Sequence, residues 1–325
     1  MTIDCSSTFQ AIDEATGALL IHAGADTRAE AAIEIAQGER EELSRRLLDT
    51  GALLFRGFAL ETTTQFGALV DAFSGGSPRF GYAGGASPRR ALDGGGVYSS
   101  TEYPATMELA LHNELSYADV HPARLFFLCL TPAETGGATT LSDSRRILAA
   151  IDPGVVEAFR SRRVRYVRNL SPEVGSGYGW QDAFETGDPA AAEASCRRIG
   201  AQFEWRDGGH LRVSQTRPAT ACHPATGEEV WFNQADGFHP SALDAETYAS
   251  LLAWHGVEDA FRLNVTFGDG SPIERGMLDK VRAAIAAERL EHRWQAGDVV
   301  VLDNYLMAHG RAPFTGARKI ALAMT

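Results

Sequence analysis

Cysteine is scarce in this chain of 325 residues. There are four, Cys5, Cys129, Cys196 and Cys222, and none stands in a Cys-x-x-Cys spacing. That argues against a disulfide framework and against a cysteine-ligated zinc site. Basic residues are also in deficit, 30 Lys and Arg against 42 Asp and Glu, for a formal net charge of −12. Such a surface repels phosphate backbones and anionic lipid, so neither nucleic acid nor membrane is an expected partner. No apolar run approaches the ~20 residues that span a bilayer. The opening residues Met1–Ser6 lack the basic and apolar regions of a signal peptide, so the expected location is cytoplasmic, in a reducing compartment. Internal repeats and low-complexity linkers are missing too. The expectation is one domain over residues 1–325.

What is present is the composition of an ordinary globule, 44% hydrophobic and 22% charged. The spacing predicts a helix over 28–50 closed by Gly51, a short strand Ala52–Phe55, and a helix over 62–74 with Phe66, Leu69, Val70 and Phe73 on one face. From Gly75 to Gly96 the chain is rich in Gly, Pro and Ser. A loop of that length in a compact domain is commonly functional, and a lid is expected. Arg124–Leu130 reads as a strand buried on both faces, followed by a strand over 138–141 and short helices over 144–151 and 153–159. Asp188-Pro189 caps a further helix to Ile199, and Ser271-Pro272-Ile273-Glu274 has the spacing of a capping box opening a helix to Arg289. Val299–Asp303 reads as a buried strand, 306–311 as a loop and Ile320–Met324 as a last strand, with an insert over about 142–228. Many short strands with turn signals, plus a few peripheral helices, predict a mainly β fold with a double-stranded β-helix (jelly-roll) core.

The chemistry is concentrated in Leu109-Ala110-Leu111-His112-Asn113-Glu114-Leu115-Ser116-Tyr117. On an extended strand, side chains at i and i+2 share a face. His112 and Glu114 would thus offer one imidazole and one carboxylate side by side at the end of a buried strand. A His-x-Glu triplet is common by chance, and a lone strand histidine is more often a satisfied bystander. The reading needs a distant partner, and His309 follows a second apolar strand late in the chain. Two histidines and one carboxylate on one face of an octahedral ion leave three adjacent positions open, the pattern of non-haem Fe(II) oxygenases. A structural zinc site would fill its positions with protein.

The order of these signals resembles the Fe(II)/2-oxoglutarate-dependent dioxygenases of the TauD/TfdA superfamily, from about Leu53 to Met324. Within it the resemblance is strongest to the SyrP-like proteins of peptide natural-product (syringomycin-type) biosynthesis. It is carried by Val97-Tyr98-Ser99-Ser100-Thr101-Glu102-Tyr103-Pro104, the His112 to Tyr117 block, Gly136-Gly137-Ala138-Thr139, Val230-Trp231-Phe232-Asn233-Gln234, and Asp303-Asn304-Tyr305 through Arg318-Lys319. The resemblance implies His112, Glu114 and His309 as iron ligands, with Thr139 and Arg318 holding the distal carboxylate of 2-oxoglutarate, and O2 as second co-substrate. A planar guanidinium offers two parallel donors to a carboxylate, which favours Arg318 over Lys319. In several relatives the anchoring arginine lies further on, where this chain has Ala323 and Met324, so Arg311 stays a rival.

Further implications concern the substrate. Related halogenases carry Ala or Gly where this chain has Glu114, so oxygenation rather than halogenation is implied. Tyr98, Thr101, Glu102, Asn233 and Gln234 are candidate substrate contacts, and Arg79, Arg89 and Arg90 in the lid candidate anion contacts. SyrP-like relatives act on amino acids or amino-acid-derived units, in some cases on a carrier protein. The expected reaction is hydroxylation of such a unit. Desaturation or epoxidation by the same iron chemistry, a zinc hydrolase with the same ligands, and a metal-binding barrel without turnover are the alternatives.

Overall fold

The most apolar stretches of the chain pair with one another. In the computed structural model, which describes residues 9–13, 15–81, 89–93, 95–101, 103–173 and 179–325, Val299–Asp303 lies antiparallel between Ala52–Arg56 and Arg124–Thr131. They form the middle of a seven-stranded sheet ordered Phe9–Ile12, Leu19–His22, Ala52–Arg56, Val299–Asp303, Arg124–Thr131, Lys319–Met324 and Val97–Ser99. Side chains alternate across it. Leu53, Phe55, Phe126, Leu128, Val299 and Val301 join a core with the helices Ala29–Gly38, Arg40–Thr50 and Thr63–Ser74. Leu54, Leu125, Phe127, Val300 and Leu302 face a second core on the other side. Burial on both faces explains why these strands read as continuous apolar runs.

The second core is shared with a four-stranded sheet ordered Leu290–His292, Thr139–Asp143, Met307–Arg311 and Leu109–His112. These two sheets are the jelly-roll core, with helices at the periphery. A further antiparallel sheet, Gln202–Arg206, His210–Arg217, Val164–Leu170 and Leu263–Phe267, adds Val164, Tyr166, Val265 and Phe267 to the same core. Among the described residues, no helix is long and apolar enough to cross a membrane.

The structure departs from the expected elements at three places. The helix of 28–50 is two helices that change direction at Glu39 (φ −104, ψ 19), directly after Gly38; glycine makes an interruption there cheap. The capping box at Ser271 does not form. Asp269 accepts from both the backbone and the hydroxyl of Ser271, and the helix Arg275–Ala287 starts after Glu274 without a side-chain cap. Residues 306–311, expected as a loop, contain the fully buried strand Met307–Arg311. Residues 82–88 and 94 of the expected lid lie outside the described residues.

One buried ion cluster joins the two sheets. Arg56, at the end of a strand of the larger sheet, places Nη2 2.6 Å from Asp298 Oδ2. His292 of the smaller sheet brings Nε2 to 3.4 Å from the same oxygen. Burial by itself would raise the Asp298 pKa, but the hydrogen bonds from Arg56 and the Gln295 backbone N–H, with His292 close by, outweigh it and hold the carboxyl below its ordinary 3.8. A depressed carboxyl contributes stability that is present above its unfolded pKa and lost as pH falls through the folded one. Asp298→Asn is therefore expected to cost about 3 kcal/mol in urea unfolding at pH 7. The gap between wild type and variant should narrow below about pH 4; a gap that persists at low pH would show that packing, not charge, is the cause.

Candidate metal centre

Two strands from distant parts of the chain set the site. Met307–Arg311 pairs with Leu109–His112 in a register that puts His309 opposite His112, with ring centroids 4.4 Å apart. Gly310 makes that approach possible, because a Cβ there would lie 2.5 Å from the Leu109 carbonyl oxygen and 2.6 Å from Thr140 Oγ1. On its other edge, Met307–Arg311 is fixed by Thr139–Asp143.

Glu114 is reached differently from the expectation. The strand ends at His112 and is only half-buried, so His112 and Glu114 are not on one buried strand. Glu114 lies in the following turn, where Leu115 takes φ 55. A branched residue in that region is uncommon and persists only when its surroundings hold it. Here Asn304 does the holding: its Oδ1 accepts from the Glu114 backbone N–H at 2.7 Å, and its Nδ2 donates to the Glu114 and Pro122 carbonyls. Asn113 Nδ2 returns a bond to the Asn304 carbonyl at 2.7 Å. Asp303 shapes the turn that presents Asn304, with Oδ1 accepting from the backbone N–H of Tyr305 and Leu306 and Oδ2 3.1 Å from His223 Nε2.

Ligand atoms of His112, Glu114 and His309 lie within 4.8 Å of one another, the one such group of three or more among the described residues. His309 Nε2 is 3.8 Å from Glu114 Oε2. His112 directs Nδ1 at the Ala110 carbonyl, 2.8 Å away, which fixes the tautomer and leaves Nε2 for a metal. Burial lowers the pKa of both imidazoles, and for His309 the neighbouring His112 and Arg89 add to it and take it well below 6.5. Both rings are thus neutral at pH 7, the form that binds metal. A two-nitrogen, one-carboxylate set converging from one side fits a divalent ion with an open face. Arg89 stands at the carboxylate, Nη2 2.5 Å from Glu114 Oε2, with both side chains buried.

Two cavities meet at this group. A narrow cleft is lined by His309, Thr139, Arg318 and Phe127. A larger cavity of about 320 Å³ is lined by His112, Glu114, Tyr117, Gln234 and Asp236. Arg89, Thr101 and Leu109 line both. Arg318 donates from Nε to the Gly137 carbonyl and has no carboxylate partner among the described residues. Burial, reinforced by the charge of Arg311, pulls its pKa down to about 10. Arg311 is occupied elsewhere: its guanidinium donates to the carbonyls of Tyr103, Pro104 and Met107 at 2.5–3.0 Å. Thr139 Oγ1 accepts from Trp294 Nε1 at 3.0 Å, which leaves its own proton for an acceptor in the cleft.

The remaining predicted residues divide. Thr101 and Gln234 reach the larger cavity, and Gln234 Nε2 also ties the Glu114 turn through the Asn113 carbonyl and Ser116 Oγ. Asn233 is buried, with its amide bonded to Ala219 and Ala235, and is a structural residue. Tyr98 sits on Val97–Ser99 of the larger sheet and packs on the core. Arg79 pairs with Asp71 and the Gly67 and Gly95 carbonyls, away from the site. Glu102 lies outside the described residues. Sequence reading did not single out Asn304 as the support of Glu114, nor Tyr117, Asp236 and Phe238 as cavity wall.

A profile of the family "Taurine catabolism dioxygenase TauD, TfdA family" matches residues 15–325. The dapdiamide synthesis protein DdaC of Enterobacter agglomerans is 37% identical over 278 residues, 86% of this chain and 83% of that protein. A clavaminate synthase-like protein of Arabidopsis thaliana is 29% identical, over 88% of this chain and 84% of its own. Among solved structures, PvcB of Pseudomonas aeruginosa superposes with a TM-score of 0.54 at 16% identity, covering 94% of this chain and 84% of that one.

Because Asn304 supports Glu114 from the backbone side, Asn304→Ala is expected to weaken binding of a divalent probe such as Mn(II) by about ten- to a hundredfold. Equilibrium dialysis measures this directly. Unchanged affinity in a folded variant would mean that the turn holds its shape without the asparagine.

Proposed function

The chain belongs to the TauD, TfdA family of dioxygenases, and from that premise we propose that it is a non-haem Fe(II)/2-oxoglutarate-dependent oxygenase. Its reaction, in this reading, is hydroxylation of an unactivated C–H bond in an amino acid or amino-acid-derived unit, free or carried as a thioester on a carrier protein. The observation that carries the reading is the juxtaposition of the His112, Glu114 and His309 group with the buried guanidinium of Arg318, which has no carboxylate partner among the described residues. A buried cation of this kind is costly unless an anion arrives to pair with it. A dicarboxylic co-substrate would supply that anion, with His112, Glu114 and His309 holding the metal beside it.

Iron(II) bound at the three ligands, together with 2-oxoglutarate and O2, supplies the oxidising power. The protein's share is position and exclusion of water. Arg318 and Thr139 hold the distal carboxylate, which fixes the length of the co-substrate against the metal. The larger cavity holds the substrate beside His112 and Glu114. Two relatives support the substrate class. DdaC is named for dapdiamide synthesis, and asparagine oxygenase, a structural neighbour with a TM-score of 0.51 at 16% identity over 91% of this chain and 83% of that one, was solved with Fe(II), 3-hydroxyasparagine and succinate. The motif blocks extend the reading to the SyrP-like branch.

Succinate formation from 2-oxoglutarate under O2, screened against free and carrier-bound amino acids, tests the reading, and product mass separates hydroxylation from desaturation or epoxidation. His112→Ala should lose retained iron. Arg318→Ala should keep iron but raise the 2-oxoglutarate concentration needed for half-maximal rate by about tenfold or more. An Arg318→Ala enzyme with unchanged 2-oxoglutarate dependence would remove the anchor, and a colourless zinc protein would remove the oxygenase.

A further inference from the structure

We propose that part of the larger cavity's wall is an ammonium-binding subsite, made by the carboxylate of Asp236 and the rings of Tyr117 and Phe238, which takes the amino group of the substrate. That the ammonium belongs to an amino-acid-derived unit rests on the reading above; the subsite itself rests on the cavity.

Asp236 is 7% exposed and lines the same cavity as His112 and Glu114. Among the described residues it makes no side-chain ion pair. The backbone N–H groups of Asp236 and Gly237 help to hold its carboxyl down. The cation that acts on it is Arg282, whose guanidinium is engaged by the Asp236 carbonyl at 2.8 Å, Ser241 Oγ at 2.9 Å and Asp279 at 3.0 Å. Burial raises the Asp236 carboxyl to about 6 against that partial help. It is therefore charged at pH 7, and a charge kept out of water without a partner is costly unless a ligand completes it.

The rings add a second, independent attraction. Tyr117 and Phe238 both line the cavity, with centroids 5.1 Å apart, and the Arg168 guanidinium stands over the Tyr117 ring at 5.8 Å. Tyr166, buried behind them, sits 6.1 Å from Tyr117 and edge-on to Phe238 at 5.1 Å, so the two rings are fixed in place. Its hydroxyl also accepts from the Gln234 backbone N–H, which pins the segment that carries Asp236 and Phe238. Aromatic faces attract cations, most strongly where water is excluded. Arg89, already paired with Glu114, and Arg262 line the same cavity. A cavity lined by an anion and two aromatic rings complements a molecule that carries an ammonium group.

The experiment uses two probes that differ only in the amine, L-norleucinamide and hexanamide, titrated into the full-length protein at pH 7 and followed by calorimetry. Neither iron nor turnover is required. We expect L-norleucinamide to bind at least about tenfold more tightly than hexanamide. Asp236→Asn should abolish that preference while its circular dichroism stays that of the wild type, since Asn keeps the backbone bonds. Phe238→Leu, which leaves the charge in place, should weaken only the amine probe. Equal binding of the two probes, binding of neither, or a preference that survives in Asp236→Asn would overturn the subsite. If discrimination holds but no succinate is formed in the oxygenase assay, the functional reading fails and the subsite stands. Turnover without discrimination means the reverse.

Discussion

The site depends on one backbone pairing, that of Met307–Arg311 with Leu109–His112 in the register that sets His309 opposite His112. Side chains alternate along a strand, so a slip of one residue would send His309 to the other face of the sheet and leave His112 without its neighbour. Three features prevent the slip. Gly310 admits the close approach, Thr139–Asp143 pairs along the other edge, and the Asp303-Asn304 turn fixes where the late strand begins and where Glu114 is held. Glu114 is thus placed by a turn and the two imidazoles by a sheet.

Around that frame the charges are left incomplete in a patterned way. The imidazoles are held neutral by burial. Among the described residues Arg318 has no carboxylate partner, and Asp236 makes no side-chain ion pair, Arg282 acting on it only through space. In a medium of low dielectric such gaps are expensive, and also selective, because each is closed by a ligand of one sign. The family and the fold agree on an oxygenase frame.

Much of this was legible from the sequence. The apolar runs at Ala52, Arg124 and Val299 became the central strands because both of their faces are buried. His112 and Glu114 were visible because their relation is local, although the turn at Leu115 was not. The strand carrying His309 was hidden: Met-Ala-His-Gly-Arg has the low β-propensity of Ala and Gly, and its partners lie far away in the chain. Choosing between Arg311 and Arg318 required knowing that the carbonyls of Tyr103, Pro104 and Met107 arrive from another part of the chain to occupy the former. Asp236 carries no periodic signal at all, since Ala235-Asp236-Gly237-Phe238 reads as a turn and its burial is a property of the cavity.

The early and late origin of the ligands also couples occupancy to conformation. An unfolded chain does not bring His112 and His309 together, so an ion that binds at these side chains binds the folded state alone and shifts the folding equilibrium by mass action, by about 2.7 kcal/mol when it is present at a hundredfold excess over its Kd. A stabilisation of that size is a sizeable share of what keeps a typical protein folded. An ion held at these side chains would thus count toward the stability of the fold as well as toward chemistry.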